Sequence, residues 1–293
     1  MRQAFAVFFA CLLASPAFAA APSAIATDPA FDKAHAPAMI PVRIPSHGVL
    51  MNGVLYSASG AGPHPALLLF HGFPGFEQNL DLAQAARRAG FDVLTLHYRG
   101  AWASPGDFSF ANALDDSDAA LAFLRANAAA YGIDTTRIFA AGHDMGGLMA
   151  ASVAAHDPNV AGLVMISAWD IGADGPKFSD PKYRETQAKS EFNEDVVPLS
   201  GTSVNALMDE AQAANKAWDF VEYAPLLKSR PVLIFTTRDR LTENNERLAK
   251  ALRDLGDPDV SERLWETDDA YSDRRIALES DIVGWLEKHA GLS

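Results

Sequence analysis

The stretch Ile138-Phe139-Ala140-Ala141-Gly142-His143-Asp144-Met145-Gly146-Gly147 constrains the fold more tightly than any other part of the chain. An apolar run with strand character passes through one sharp turn into a run of small helix-forming residues, Met145 to Ala155. Glycines stand two residues before and two residues after Asp144. That spacing is needed where a strand and the helix that follows it come so close that a β-carbon would clash. An ordinary glycine-rich turn is the bland alternative, and the strand and helix on either side count against it.

The rest of the chain repeats this rhythm. Ile40 to Ile44 and Val49 to Ser57 read as an opening, antiparallel pair of strands, and Ala66 to Phe70 as a buried one. Leu80 to Ala89 reads as a helix closed by Gly90, as helices often close. A strand over Asp92 to Tyr98, a helix over Asn112 to Asn127 and strands over Arg137 to Ala141 and Val160 to Ser167 follow. Later come a strand over Pro231 to Thr236, a helix over Glu243 to Leu255, a strand over Val260 to Glu266 and a helix over Ser272 to Lys288. Strands that are apolar throughout, each followed by a crossover helix, predict an α/β fold: a mostly parallel sheet of about eight strands with helices on both faces. Right-handed crossovers place the strand-to-helix loops on one edge of that sheet, where function is expected. Residues 169–230 break the rhythm, are polar, and contain Pro176, Pro181, Pro198 and Pro225. They read as a lid insertion of two or three short helices within one domain spanning 39–293.

Five motifs in order carry a resemblance. His71-Gly72-Phe73-Pro74-Gly75 comes first, then Tyr98-Arg99-Gly100 with Ser104-Pro105-Gly106, then the turn at Asp144. Pro231 to Phe235 followed by Asp239 is the fourth, and Asp268-Asp269-Ala270-Tyr271-Ser272-Asp273 the fifth. Over residues 45–288 the chain resembles the α/β-hydrolases of the dienelactone hydrolase and dipeptidyl/acylaminoacyl-peptidase (prolyl oligopeptidase-like) type. The resemblance implies a nucleophile elbow at 144, a triad acid at 239, a triad histidine at 269 and an oxyanion hole made by the backbone N–H groups of Phe73 and Met145.

The chain departs from that pattern twice. Asp144 stands where serine is needed, and Asp269 where histidine is needed; only Asp239 matches. Of the eight histidines, none lies between residues 157 and 288. His289 falls at the far end of the last helix, about 24 Å from the active edge at 1.5 Å per residue. His143 is expected to point into the fold, and His71 to be structural. A carboxylate at 144 cannot follow the serine route. It suits a nucleophile that forms an ester, as in epoxide hydrolases and haloalkane dehalogenases of the same fold. That ester would then need a base to cleave it. Three carboxylates within a few ångströms of one another would raise at least one pKa, share a proton or hold a hard cation such as Ca²⁺ or Mg²⁺.

Three readings stay open. The leading one is a non-catalytic or atypical hydrolase homologue with a degenerate triad. The others are an active hydrolase using Asp144 on epoxides, haloalkanes or esters, and a carboxylate-cluster metal site. No metal ligand set and no cofactor is assigned, and the expected partner is a small-molecule or peptide ligand in the pocket.

Residues 1–19 read as a cleaved secretory signal. Arg2 opens it, Ala4 to Ala14 is an apolar run too short to span a bilayer, and Ala17-Phe18-Ala19 offers a cleavage site. Residues 20–38 read as a flexible leader. The expected location is periplasmic or secreted. Cys11, the single cysteine, lies inside the signal, so packing alone must hold the mature domain; 49% hydrophobic content suffices for that. The net charge of −13 disfavours nucleic acid and anionic membranes as partners. Trp102, Trp169, Trp218 and Phe220 read as core before pocket wall, Trp285 as core, and Glu210, Glu222, Glu243 and Glu246 as solvated surface.

Overall fold

A computed structural model describes residues 22–188 and 192–292. The segment read as a signal lies outside them. Eight strands form one sheet: β1 (Ala38–Ser46), β2 (Val49–Ser57), β3 (His64–Phe70), β4 (Asp92–Leu96), β5 (Ile133–His143), β6 (Val160–Ile166), β7 (Val232–Thr237) and β8 (Val260–Trp265). Their order is β1-β2-β4-β3-β5-β6-β7-β8. β1 and β2 pair antiparallel, β2 pairs antiparallel with β4, and the remaining strands run parallel. The expected α/β-hydrolase architecture is what the chain adopts.

Period-two alternation divides the core. Ile138 and Ala140 of β5 face one apolar cluster with Leu68, Phe70, Leu94 and Met149, while Phe139 and Ala141 face the other with Leu67, Leu69, Val93 and Leu286. Each wholly buried Leu or Phe contributes on the order of 2 kcal/mol. Helix α1 (Leu80–Arg88) and helix α6 (Arg275–Ala290) cover one face. Helices α2 (Phe110–Ala126) and α3 (Met145–His156) cover the other, with α5 (Thr242–Asp254) behind β7 and β8. Within the stretch read as a leader, Ser23–Ala26 makes one helical turn. Its Ala24 is buried, and the Ala24 carbonyl accepts from Arg88 Nε.

Between β6 and β7 the chain is more broken than two or three helices. Single turns at Ile171–Asp174, Gly175–Ser179, Asn215–Trp218 and Phe220–Tyr223 surround one longer helix, α4 (Val204–Ala214). This excursion docks on the loop after β4: Leu199 bridges to Ala101, Ser200 N–H donates to the Gly100 carbonyl, and Phe108 N–H donates to the Ser200 carbonyl. Glu210, expected on the solvated surface, instead accepts from the N–H groups of Phe110 and Ala111 at 2.8 and 2.9 Å. It satisfies donors that the first turn of α2 leaves without helical partners.

Candidate functional site

The turn at Asp144 has the geometry that the glycines demanded. A β-carbon on Gly142 would overlap the carbonyl of Gly146, and one on Gly146 would overlap the carbonyl of Phe70. Asp144 itself sits at φ 51°, ψ −121°, a strained backbone for any residue with a side chain. The strain holds because its N–H donates to the Ile166 carbonyl, while its carbonyl accepts from Gly147 and Trp169.

The Asp144 carboxylate turns back onto the loop after β3. Its Oδ2 accepts from the backbone N–H of Phe73 at 2.7 Å and its carboxyl also accepts from that of Met145. These are the two donors that the resemblance assigns to the oxyanion hole. Gly72 permits the fit, since a β-carbon there would stand 2.8 Å from both Cβ and Oδ2 of Asp144. Although the residue keeps some exposure, its carboxyl is desolvated. Burial raises its pKa, opposed by the His143 ring, the two N–H bonds and Arg240.

The three acids do not meet as one cluster. Asp239 is exposed and its carboxylate is turned to its own loop, accepting from Thr237 Oγ1 at 2.5 Å and Leu241 N–H at 2.8 Å. Asp269 is exposed too, and its link to the elbow is its backbone carbonyl, which accepts from His143 Nε2 at 2.8 Å. Tyr271, wholly buried at φ 57°, bonds Ser167 Oγ through its hydroxyl at 3.0 Å. Its pKa is raised first by burial and further by the charges of Asp239 and Asp269. The expected rise of one pKa by mutual repulsion is therefore replaced by a rise at Asp144 whose first cause is burial. Among the described residues, no group of three or more His, Cys, Asp or Glu side chains is disposed to hold a metal ion. The proposed Ca²⁺ or Mg²⁺ cluster has no ligand set there.

Histidines do not supply the missing base. His71, His97 and His143 fall at the carboxyl ends of β3, β4 and β5 and share one face of the sheet by register. His71 gives Nδ1 to the Gly72 carbonyl at 2.8 Å, and burial pushes its pKa down to about 3. His97 is lowered by burial as well. His143 is buried with Nε2 committed to Asp269. His289 is distant, at the end of α6, against Trp285.

Aromatic rings fill the space above the elbow. The Phe73 ring lies 5.6 Å from Phe110, 6.2 Å from Trp169 and 5.5 Å from Phe192. Trp169 is buried and donates Nε1–H to Asp174 at 2.7 Å, with Arg240 stacked 5.6 Å over its ring. Trp169 and Phe220 are core, as expected, while Trp102 and Trp218 are only partly buried. Sequence reasoning missed Arg240, Tyr271 and the buried acids Asp170 and Asp219. Tyr271 stands within the fifth motif but was given no role there; no short motif marks Asp170 and Asp219, which meet through the close approach at Gly172.

Comparison with known proteins agrees with the architecture. The chain shares 20% identity with the carboxylesterase EstE1 from a metagenomic library, over 92% of each chain, with a TM-score of 0.62. It shares 19% with an esterase of Pyrobaculum calidifontis, over 86% of each chain, at a TM-score of 0.64. It shares 18% with an acylaminoacyl peptidase of Pyrococcus horikoshii at a TM-score of 0.63, over 86% of this chain and 41% of that one. At these identities the likeness speaks for the fold alone. No curated protein sequence matches the chain. The sequence model described as alpha/beta hydrolase fold matches residues 65–275, and the chain belongs to that family.

Proposed function

We propose that this chain is a non-catalytic or atypical member of its family, with a degenerate triad of Asp144, Asp269 and Asp239. The observation that carries this reading is the Asp144 carboxylate seated on the Phe73 and Met145 N–H donors. A substrate carbonyl would have to displace it, and no imidazole stands ready to move a proton. The exposed positions of Asp239 and Asp269 support the same reading. So does the aromatic packing of Phe73, Phe110, Trp169 and Phe192 over the elbow. The protein acts by binding, with a small molecule or peptide as the expected ligand, and it is exported through residues 1–19.

One observation favours a second reading. With Oδ2 held by the Phe73 N–H, the Asp144 carboxylate could attack an alkyl carbon, expelling halide or opening an epoxide C–O bond, and the ester formed would already carry a hydrogen bond from that donor. Lacking a base, such a site would be alkylated once and stop. Two measurements decide. A fluorophosphonate probe should label no serine in the wild type, and labelling would overturn the degenerate-triad reading. Intact mass after incubation with epoxide and haloalkane panels should show no adduct; a stable adduct on Asp144 would establish the second reading, and turnover would overturn the first.

A further inference from the structure

The two feet of the excursion meet over a pair of buried acids that the elbow does not use. Asp170, wholly buried, follows β6 and caps the Ile171–Asp174 turn, with Oδ1 accepting from Ala173 N–H at 2.9 Å. Asp219 stands where the chain returns and caps the Phe220–Tyr223 turn, with Oδ1 accepting from Val221 N–H at 3.0 Å. Gly172 makes their meeting possible, because a β-carbon there would overlap the backbone nitrogen of Asp219 and the carbonyl of Asn215. Asp170 Oδ2 has no solvent and no fixed donor among the described residues, and Asp219 Oδ2 lies 3.5 Å from Arg247.

We infer that Asp170 and Asp219 form a proton-held latch that fastens the excursion over the elbow and loosens when the shared proton is lost. The Asp219 backbone closes on Gly172, two residues from the wholly buried Asp170, and a charge on Asp170 there would face that of Asp219, so the closed form keeps one proton on the pair. Burial pushes Asp170 up to about 8, and the charges of Asp219 and Asp174 add to it. Arg247 balances at most the charge on Asp219, which leaves Asp170 without a counter-ion among the described residues. Asp174 is engaged by Lys177 at 2.6 Å, with Arg240 at 3.6 Å. From the return segment comes Tyr223, whose hydroxyl donates to the Ala217 carbonyl and whose pKa burial pushes up to about 12. From α3 comes His156, edge-on to Tyr223 at 5.5 Å; from α2 comes Asp118, whose pKa burial raises. From α5 come Arg247 and Asn245, whose Nδ2 donates to the Ala168 carbonyl at 2.8 Å.

The sign follows from Asp170. Its pKa is near 8 closed and in the ordinary carboxylate range open, so the closed form is fully favoured below that range. Its advantage falls as pH rises to about 8, then levels. Trp169 adjoins Asp170, packs on Phe73 and donates its backbone N–H to the Asp144 carbonyl, so loosening the latch loosens the packing beside the elbow.

Hydrogen exchange of peptides covering 168–176 and 214–224, corrected for intrinsic base catalysis, tests this between pH 6 and 8. Exchange through opening should rise by up to about tenfold per pH unit in the wild type. Asp170→Asn, which stays neutral, should flatten that rise, and Glu222→Gln, a neutralisation of an exposed acid on the same turn, should not. Asp219→Asn gives a second reading of the same slope. A wild-type slope of zero, or an undiminished slope in both Asn variants, would overturn the latch.

Discussion

Phe73 and Asp144, 71 residues apart in sequence, are joined by a 2.7 Å hydrogen bond from the Phe73 backbone N–H to the Asp144 carboxylate. The bond joins the loop after β3 to the turn after β5. Charge at Asp144 is opposed by burial. Its raised pKa means that the stability it contributes is complete below the ordinary carboxylate range and is lost as pH rises through the raised value. Asp144→Asn keeps the acceptor and loses the titration. The melting temperature of this variant relative to wild type should therefore climb as pH is raised from about 4 towards neutrality. Thermal denaturation across that range checks it, and a constant or shrinking difference would contradict it.

Restoring serine alone should achieve little. Asp144→Ser leaves Asp269 where an imidazole is needed, so no base can take the hydroxyl proton. Asp144→Ser combined with Asp269→His should hydrolyse an activated ester about 10²-fold faster than either single variant. The gain should vanish on adding Asp239→Asn, because the new imidazole needs the Asp239 carboxylate to turn from Thr237 and Leu241. Equal rates in the double and single variants would show that Asp239 cannot reach that role.

Asp116 should be the costliest acid to remove. It is wholly buried and accepts from Ser46 Oγ at 2.6 Å, Arg99 N–H at 2.7 Å and Arg99 Nε at 2.6 Å. Asp116→Ala would take from the buried Arg99 guanidinium its closest carboxylate, leaving Asp115 at 3.4 Å, with a loss of about 3 kcal/mol expected in chemical denaturation.

Glu210 offers a milder and more local test. Its carboxylate holds the first N–H groups of α2 from the excursion. Glu210→Ala should cost about 1–2 kcal/mol, and Glu210→Gln less, since the amide oxygen still accepts. A surface glutamate would give no measurable change in the same denaturation experiment.

The fold was legible because buried parallel strands advertise themselves by unbroken apolar runs, and because Gly142 and Gly146 allow only one kind of turn. Boundaries slipped where polar residues belong to an element. β5 begins at Ile133 and not Arg137, since Asp134 and Arg137 pair across its exposed start. α2 begins at Phe110 because Ser109 Oγ caps Asn112 N–H, a signal present in the sequence and overlooked. α6 begins at Arg275 because Ser272 N–H is held by Asp268. At the site, the positions of the three acids along the chain were readable but their directions were not. Which donors a carboxylate finds depends on loops such as Thr237–Leu241, and no spacing rule encodes that. Asp170 and Asp219 lie in a polar stretch without periodicity, and only the close approach at Gly172 brings them together.

The carboxylate on the Phe73 and Met145 donors also sets a threshold for anything that would use them. It is tethered by a single Cβ, so its effective concentration at that point exceeds by orders of magnitude what any dissolved metabolite can reach. A free acid or ester arriving from solution competes with a group that never diffuses away. The Phe73 N–H is thus screened from the chemical composition of its surroundings.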